Sequence, residues 1–451
     1  MYLHPRKPKP KEVAIPRVVA DVPAIEGPVE EHKLSSGGWH TVAFMLVNCA
    51  LGAGVLHYPA AYDEAGGLLI GTAVQAVIIF ILGPTALALA YCSDAHGDNT
   101  YHEVLESCCG TRARNVSAWS VLVSYFGICI ALLVIIGDLT DRIFASAYGA
   151  QFCHEWYMSR HFTIVTTAVV FILPLCLMKN VTLLQRASKV GVVAMLYPVF
   201  LTVYSFYTIE RPEDLHLRTE PDSIIDFVVN IPVFCFAYQM HEMSVPVYAG
   251  MEKRGIVGFA KALTVALAFL FMAYVTVGCF GYATYGHTVK PNIMQMFNAS
   301  DPIVLFGIVA LMIKMVVTYP LIVFFGREEL ESMYIRYYNL SPEEASKGER
   351  KRTFVAMAIW LLVPTLLAIS PIDLGIALKF LGCLSMFNVY IFPGLCLVGV
   401  VRKKPGYLPR ERLMQFLGCV VIIFGLLLSG TVLVRTIVHH IPKSGASHKC
   451  S

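Results

Sequence analysis

Apolar runs of about twenty residues recur along this chain, and each is long enough to cross a bilayer as a helix. Eleven stand out, roughly at 40–62, 68–91, 118–138, 162–178, 188–208, 224–248, 258–282, 302–325, 354–369, 374–400 and 413–434. Two of them are interrupted. In the first, VNCALGAGVLHYPAAYDEAGG, the run Gly52, Ala53, Gly54 is followed by Pro59. Against alanine, glycine costs a helix about 1 kcal/mol and proline about 3 kcal/mol, so this is poor material for an unbroken helix. Backbone freed by such a break is tolerated at membrane depth only where it is buried in protein or lines a cavity.

The sixth run repeats the anomaly. In NIPVFCFAYQMHEMSVPVYAGMEK, Pro232 and Pro246 bracket Tyr238, Gln239, His241, Glu242 and Ser244. Polar groups this dense at membrane depth must face protein or water; the alternative is that 239–244 lies at the headgroups. Interrupted spans at positions one and six suggest two inverted halves, spans 1–5 and 6–10, with the eleventh an addition. Paired breaks of this kind mark the binding site of secondary transporters.

Composition agrees. The 451 residues are 56% hydrophobic and 15% charged, with mean hydropathy +0.63, where soluble domains carry about a quarter charged residues. The expected class is an all-α polytopic membrane protein with 11 transmembrane helices. Residues 1–38 are rich in proline and charge and read as a disordered cytoplasmic tail. They lack a signal peptide's apolar core, so the first span would direct insertion. The transporter domain is expected over 39–435, and 436–451 would form an extracytoplasmic tail. With the N-terminus inside, cytoplasmic segments hold 25 of the 35 Lys and Arg residues and the opposite side eight, a firm positive-inside asymmetry.

That topology leaves Asn298 (NAS) as the candidate glycosylation acceptor among three sequons. The thirteen cysteines fall mostly in spans or face the cytoplasm and form no disulfide framework; Cys153 and Cys450 are the two clear outside ones. A phosphate-cradling loop is absent, which argues against ATP-driven pumping, and nothing in the sequence suggests zinc, haem or triad chemistry or an enzyme.

Several long motifs then carry a resemblance. VNCALGAGVLHYPAAYDEAGG, IIGDLTDR, Trp156 to Leu175 with its FILPL, VFCFAYQMHE, GYATYG, VVTYPLIVFFGRE and YIFPGLCL occur in order. From about Trp39 to Arg435 the chain resembles the amino acid/auxin permease family, and within it the sodium-coupled neutral amino acid transporters of solute carrier family 38, glutamine-preferring members seven and eight in particular. The resemblance implies a leucine-transporter-like 5+5 inverted repeat with broken helices 1 and 6 plus one extra helix. It also implies sodium coordination by Asn48 and Thr318, with the carbonyls of Ala50 and Leu51 as further oxygen ligands.

The substrate carboxylate would bind the N–H groups of Gly52, Ala53 and Gly54 at a half-helix N-terminus. Its ammonium would take carbonyls near Phe234, Cys235 and Phe236, and Tyr238 and Gln239 would contact a polar side chain. The plain alternatives are structural. The glycines could serve close helix packing, Asn48 could bond a neighbouring helix, and Thr318 its own carbonyl four residues back.

Lys314 departs from the pattern, since relatives carry a small residue there. It lies four residues before Thr318 on the same helical face. A lysine in the membrane is normally paired or functional, so it could stand in for sodium and leave a proton-linked or sodium-independent carrier; otherwise it points into a water-filled vestibule or snorkels. Lys379 is a second departure, six residues after Asp373 and expected to reach the outer interface. The expectation is an alternating-access symporter of small neutral amino acids, glutamine first, in the plasma or lysosomal membrane. Its partners would be the amino acid, sodium or protons, and the bilayer. A transporter-like amino acid sensor is the rival from another class.

Overall fold

The computed structural model describes residues 37–149, 155–178, 181–209, 215–370, 374–402 and 409–440. Most of the N-terminal tail, Asp373, Cys153 and Cys450 lie outside them. Ten helices are long and apolar enough to cross a membrane, and one bent pair makes an eleventh span, all among the described residues.

The first span is that bent pair. Helix α1 (Trp39–Ala50) ends where the Leu51 amide bonds the Val47 carbonyl, and Gly52 is fully extended. A 3₁₀ turn over Ala53–His57 follows, then α2 (Tyr58–Ala65), with the two segments 52° apart. Pro59 enters α2 in its first turn, where its missing N–H costs nothing. Helix α2 is wedged between α3 (Leu68–His96) and α11 (Ile256–Tyr285), and small residues make room for it. A Cβ on Gly278 would come within 2.5 Å of the Tyr62 ring, and one on Gly281 within 2.5 Å of Pro59. The α2–α3 turn needs glycine for another reason: Gly66 and Gly67 have φ of 96° and 105°.

Between α3 and α11 lie α4 (Tyr101–Cys109), α5 (Thr111–Tyr148), α6 (Arg160–Thr166), α7 (Leu173–Leu177), α8 (Val181–Thr208), α9 (Ile224–Ala237) and α10 (His241–Ala249). Helix α4 is a short surface helix opened by a Thr100–Glu103 capping box. Helices α6 and α7 form one span, joined by a π-helical stretch over Thr167–Ile172 just before Pro174. Helices α9 and α10 are the two halves of the sixth span, separated at Tyr238–Met240.

The remaining elements are α12 (Pro302–Tyr337), α13 (Pro342–Ser346), α14 (Glu349–Ile369), α15 (Leu374–Met386), α16 (Phe392–Arg402) and α17 (Pro409–His440). Helices α15 and α16 form the tenth span, continuous through a π-helical stretch at Phe387–Ile391. Widening the helix there accommodates Pro393, which offers no N–H to the preceding turn. The buried core gathers around α1, α2, α5, α9 and α11. Phe80, Val257, Met272, Phe306, Leu366 and Leu427 stay exposed on the perimeter, as a lipid-facing surface requires.

Two sets of contacts close the ends. At one end, Arg160 of α6 pairs with Asp138 (2.6 Å) and Asp141 (3.3 Å) of α5, and Asn292 donates to the other Asp138 oxygen. Lys379 of α15 reaches Glu64 of α2 at 2.9 Å, so it does extend to that end of the bundle. Arg218 lies near Asp63 at 3.5 Å. On the opposite side, Gly37 pairs with Met251, just after α10, and Arg254 donates to Ser93 of α3.

Candidate functional site at the paired helix breaks

The interruptions of the first and sixth spans meet. Gly54 in the 3₁₀ turn packs on Ala237, the last residue of α9, with no space for a side chain between them. Tyr274 of α11 sits behind both breaks. Its hydroxyl lies 2.8 Å from the Ala50 carbonyl and 2.9 Å from the Ala237 carbonyl. These are the C-terminal residues of α1 and α9, whose last carbonyls have no partner inside their helices. Tyr274 also stacks on Tyr58 at 4.6 Å and meets Tyr238 edge-on at 5.0 Å.

Around this junction the expected substrate residues divide. Gly52 is extended with its backbone out of the helix ladder, and Ala53 and Gly54 open the turn that leads into α2. Phe234 is buried, edge-on to Tyr58 at 5.4 Å. The Cys235 thiol faces the Tyr390 hydroxyl at 3.3 Å. The carbonyls of Cys235 and Phe236 accept the amides of Tyr238 and Gln239 in the turn that ends α9. A carbonyl has two lone pairs, so each keeps capacity for a further donor. Tyr238 is wholly buried and accepts from the Gln75 side chain, in a group completed by Tyr62, which donates to Gln75 at 2.9 Å. Its hydroxyl oxygen is thereby engaged by α3. Gln239 donates its amide to Glu242, while its own Oε1 is buried without a protein partner.

The expected ion ligands are less assembled. The Asn48 Oδ1 is buried and accepts no hydrogen bond, an open oxygen at the end of α1. The Ala50 carbonyl is already engaged by Tyr274. Thr318 on α12 donates to the Lys314 carbonyl one turn back at 2.8 Å, a self-satisfying bond that sequence reasoning had named as its plain alternative. Helix α1 packs chiefly on α11 and α10, whereas α12 packs on α8 and α5, so Asn48 and Thr318 sit on elements whose main packing partners differ. Lys314 is 7% exposed and its alkyl stem lies over Gly191 of α8, where the missing side chain leaves room for it. Asn298 is exposed, and its Oδ1 accepts the Ser300 amide at 3.0 Å.

Beside the breaks lies a polar group that sequence reasoning missed. Asn388 in the π-helical stretch of the tenth span donates to Glu242 at 2.8 Å and to Ser124 at 3.4 Å, and accepts from Ser120 at 2.9 Å. Tyr101 donates to its carbonyl at 2.9 Å.

With two helix breaks in register around an unpaired backbone, the comparisons with known proteins become decisive. A family model described as "Transmembrane amino acid transporter protein" matches residues 35–438. The chain belongs to this transporter family. Among relatives, "Sodium-coupled neutral amino acid transporter 7" of Rattus norvegicus is 33% identical over 390 residues, 84% of this chain and 83% of the relative. The Homo sapiens protein of that name is 32% identical over 361 residues, 79% and 78% of the two chains. "Putative sodium-coupled neutral amino acid transporter 8" of Xenopus tropicalis is 25% identical, covering 88% and 92%.

Among solved structures, the crystal structure of MhsT in complex with L-phenylalanine superposes with a TM-score of 0.58 at 11% identity, over 88% of this chain and 99% of that one. At that identity it establishes the fold, which is leucine-transporter-like as expected. The protein is thus a multi-pass integral membrane amino acid transporter, not an enzyme.

Proposed function

We propose that this transporter moves a small neutral amino acid, glutamine foremost, together with sodium by alternating access. The observation that carries this reading is the junction of the two breaks at Gly54 and Ala237. There the N–H groups of Gly52 to Gly54 stand at the head of the 3₁₀ turn and favour a carboxylate. The carbonyls that end α9, at Phe234 to Phe236, favour an ammonium. The buried Oε1 of Gln239 is an acceptor suited to the N–H₂ of a substrate amide. An amino acid spanning the junction would satisfy all three.

For sodium, the open Asn48 oxygen and the Leu51 carbonyl are the ligands at hand. Thr318 would join if α1 approaches α12 during the cycle. The names of the relatives support sodium coupling. A plasma or lysosomal membrane with a cytoplasmic N-terminus fits the basic-residue asymmetry, and exposed Asn298 is the glycosylation site this orientation allows.

The test is labelled glutamine uptake by the purified protein in liposomes, with sodium or choline outside. Uptake driven by sodium supports the reading, and uptake indifferent to sodium overturns the coupling. One observation favours a second reading in that event: Lys314 is buried at the α8–α12 contact on the same face as Thr318. If its ammonium replaces the ion, Lys314→Ser would restore sodium dependence to a sodium-indifferent carrier.

A further inference from the structure

Glu242 opens the second half of the sixth span, immediately after the break, and is half-buried. A carboxylate at this depth is costly unless a cation or a proton neutralises it. No ion pair involves it among the described residues. What it has instead is two neutral amide donors, Gln239 and Asn388, both aimed at the same oxygen, Oε1. Oε2 accepts no hydrogen bond among the described residues.

The neighbouring titratable groups do not supply a positive charge. Those near enough to feel it are Cys49 on α1, Tyr101 on α4 and Tyr125 on α5, all acids themselves. His241, next in the chain, turns its ring away to Thr85 of α3 at 3.0 Å. The charged group of α3 near α10, Asp94, lies beside Arg254 at 3.6 Å beyond the far end of that helix. From the tenth span comes only Asn388. Glu242 is itself only half-buried, and its Oε2 is not among the sealed side-chain atoms left without a partner.

We propose that Glu242 is a proton-binding site of the transport cycle, taking up a proton on Oε2 and releasing it as the sixth span changes its access, so that amino acid flux carries protons. Fixing Oε1 with two amides leaves the second oxygen to exchange with water, and holds the carboxyl in one orientation in both protonation states. Position then links the proton to the substrate. Gln239, which donates to Glu242, is the residue whose buried, unpartnered Oε1 is proposed to read the substrate, so the charge on Glu242 bears directly on that group. The inference rests on the transport reading for its cargo, but the proton site stands or falls separately.

Two measurements test it. In liposomes loaded with a pH-sensitive dye, glutamine addition should move protons with the wild type, and Glu242→Gln should lose that movement. Proton movement that persists in Glu242→Gln overturns the proposal. The second measurement needs no transport: infrared difference spectra of the full-length protein, titrated through the neutral range. A protonated-carboxyl C=O band that rises as pH falls, disappears in Glu242→Gln and returns at a shifted midpoint in Glu242→Asp supports the site. Its absence from the wild type at every pH overturns it. A wild type that shows the band but no glutamine flux would leave the proton site standing and sink the glutamine assignment instead.

Discussion

Gly54 lies directly against Ala237: a Cβ added to the glycine would stand 3.0 Å from the alanine Cβ and 3.2 Å from its Cα. One atom therefore separates a closed junction from a wedged one. Gly54→Ala is expected to lower uptake at least tenfold while the protein still inserts and runs as a monodisperse peak. Ala237→Gly in the same chain should restore only part of it, because the backbone at 237 still crowds the added methyl. Uptake rates of the two single variants and the double variant, measured side by side, check this. Additive losses would mean the two positions act independently.

Tyr274 offers a second handle. Tyr274→Phe keeps the stacking on Tyr58 and removes only the hydroxyl that serves Ala50 and Ala237. Leaving a buried acceptor without its donor costs about 1–3 kcal/mol. A lowered midpoint in thermal unfolding, together with reduced uptake, is the expected outcome, and an unchanged midpoint would show that water replaces the hydroxyl.

At the proposed ion site, Thr318 already satisfies itself through the Lys314 carbonyl, so Thr318→Ala should hardly alter thermal stability. A rise in the sodium concentration needed for half-maximal uptake would then report a lost ligand and not a loosened helix. Asn48→Ala should raise it more, since its oxygen has no competing partner in the protein. Sodium titrations of the two variants decide the point.

The Arg160–Asp138 ion pair is structural. Arg160 and Asp138 are 16% and 5% exposed, and Asp138 also accepts from Asn292. Removing one partner of a buried pair costs about 3–5 kcal/mol because the other charge is left uncompensated. Arg160→Ala should therefore fail to reach a stable fold. Asp138→Asn/Arg160→Gln should recover stability relative to that single change, by detergent melting curves.

Much of this architecture is written in the sequence because lipid leaves the chain few choices. Twenty apolar residues make a span, and glycine or proline inside one makes a break, so the spans and the kinks at Gly52 and Tyr238 are legible. The π-helical stretch at Phe387–Ile391 is not, since FNVYIFPG fits an ordinary helix with a proline in it. Asn388 therefore escaped notice, although it holds Glu242. The side-chain partners were equally illegible. Whether Tyr238 faces a substrate or Gln75, and whether Thr318 turns outward or back on its own helix, depends on neighbours more than a hundred positions away or on one rotamer. Lys379 shows the same limit: its place six residues after Asp373 suggested that it could reach a membrane interface, but not that its partner is Glu64 at 2.9 Å.

The hydroxyl of Tyr274 has a single hydrogen and two carbonyls within reach. At any instant it serves one helix end and leaves the other to a weaker share, so neither end is indispensable to it. If α1 swings away, the hydrogen settles on Ala237; if α9 withdraws, it settles on Ala50. Only the departure of both would strand it. The bond thus favours motions in which one half-helix leaves while the other remains, and it costs least when the two take turns.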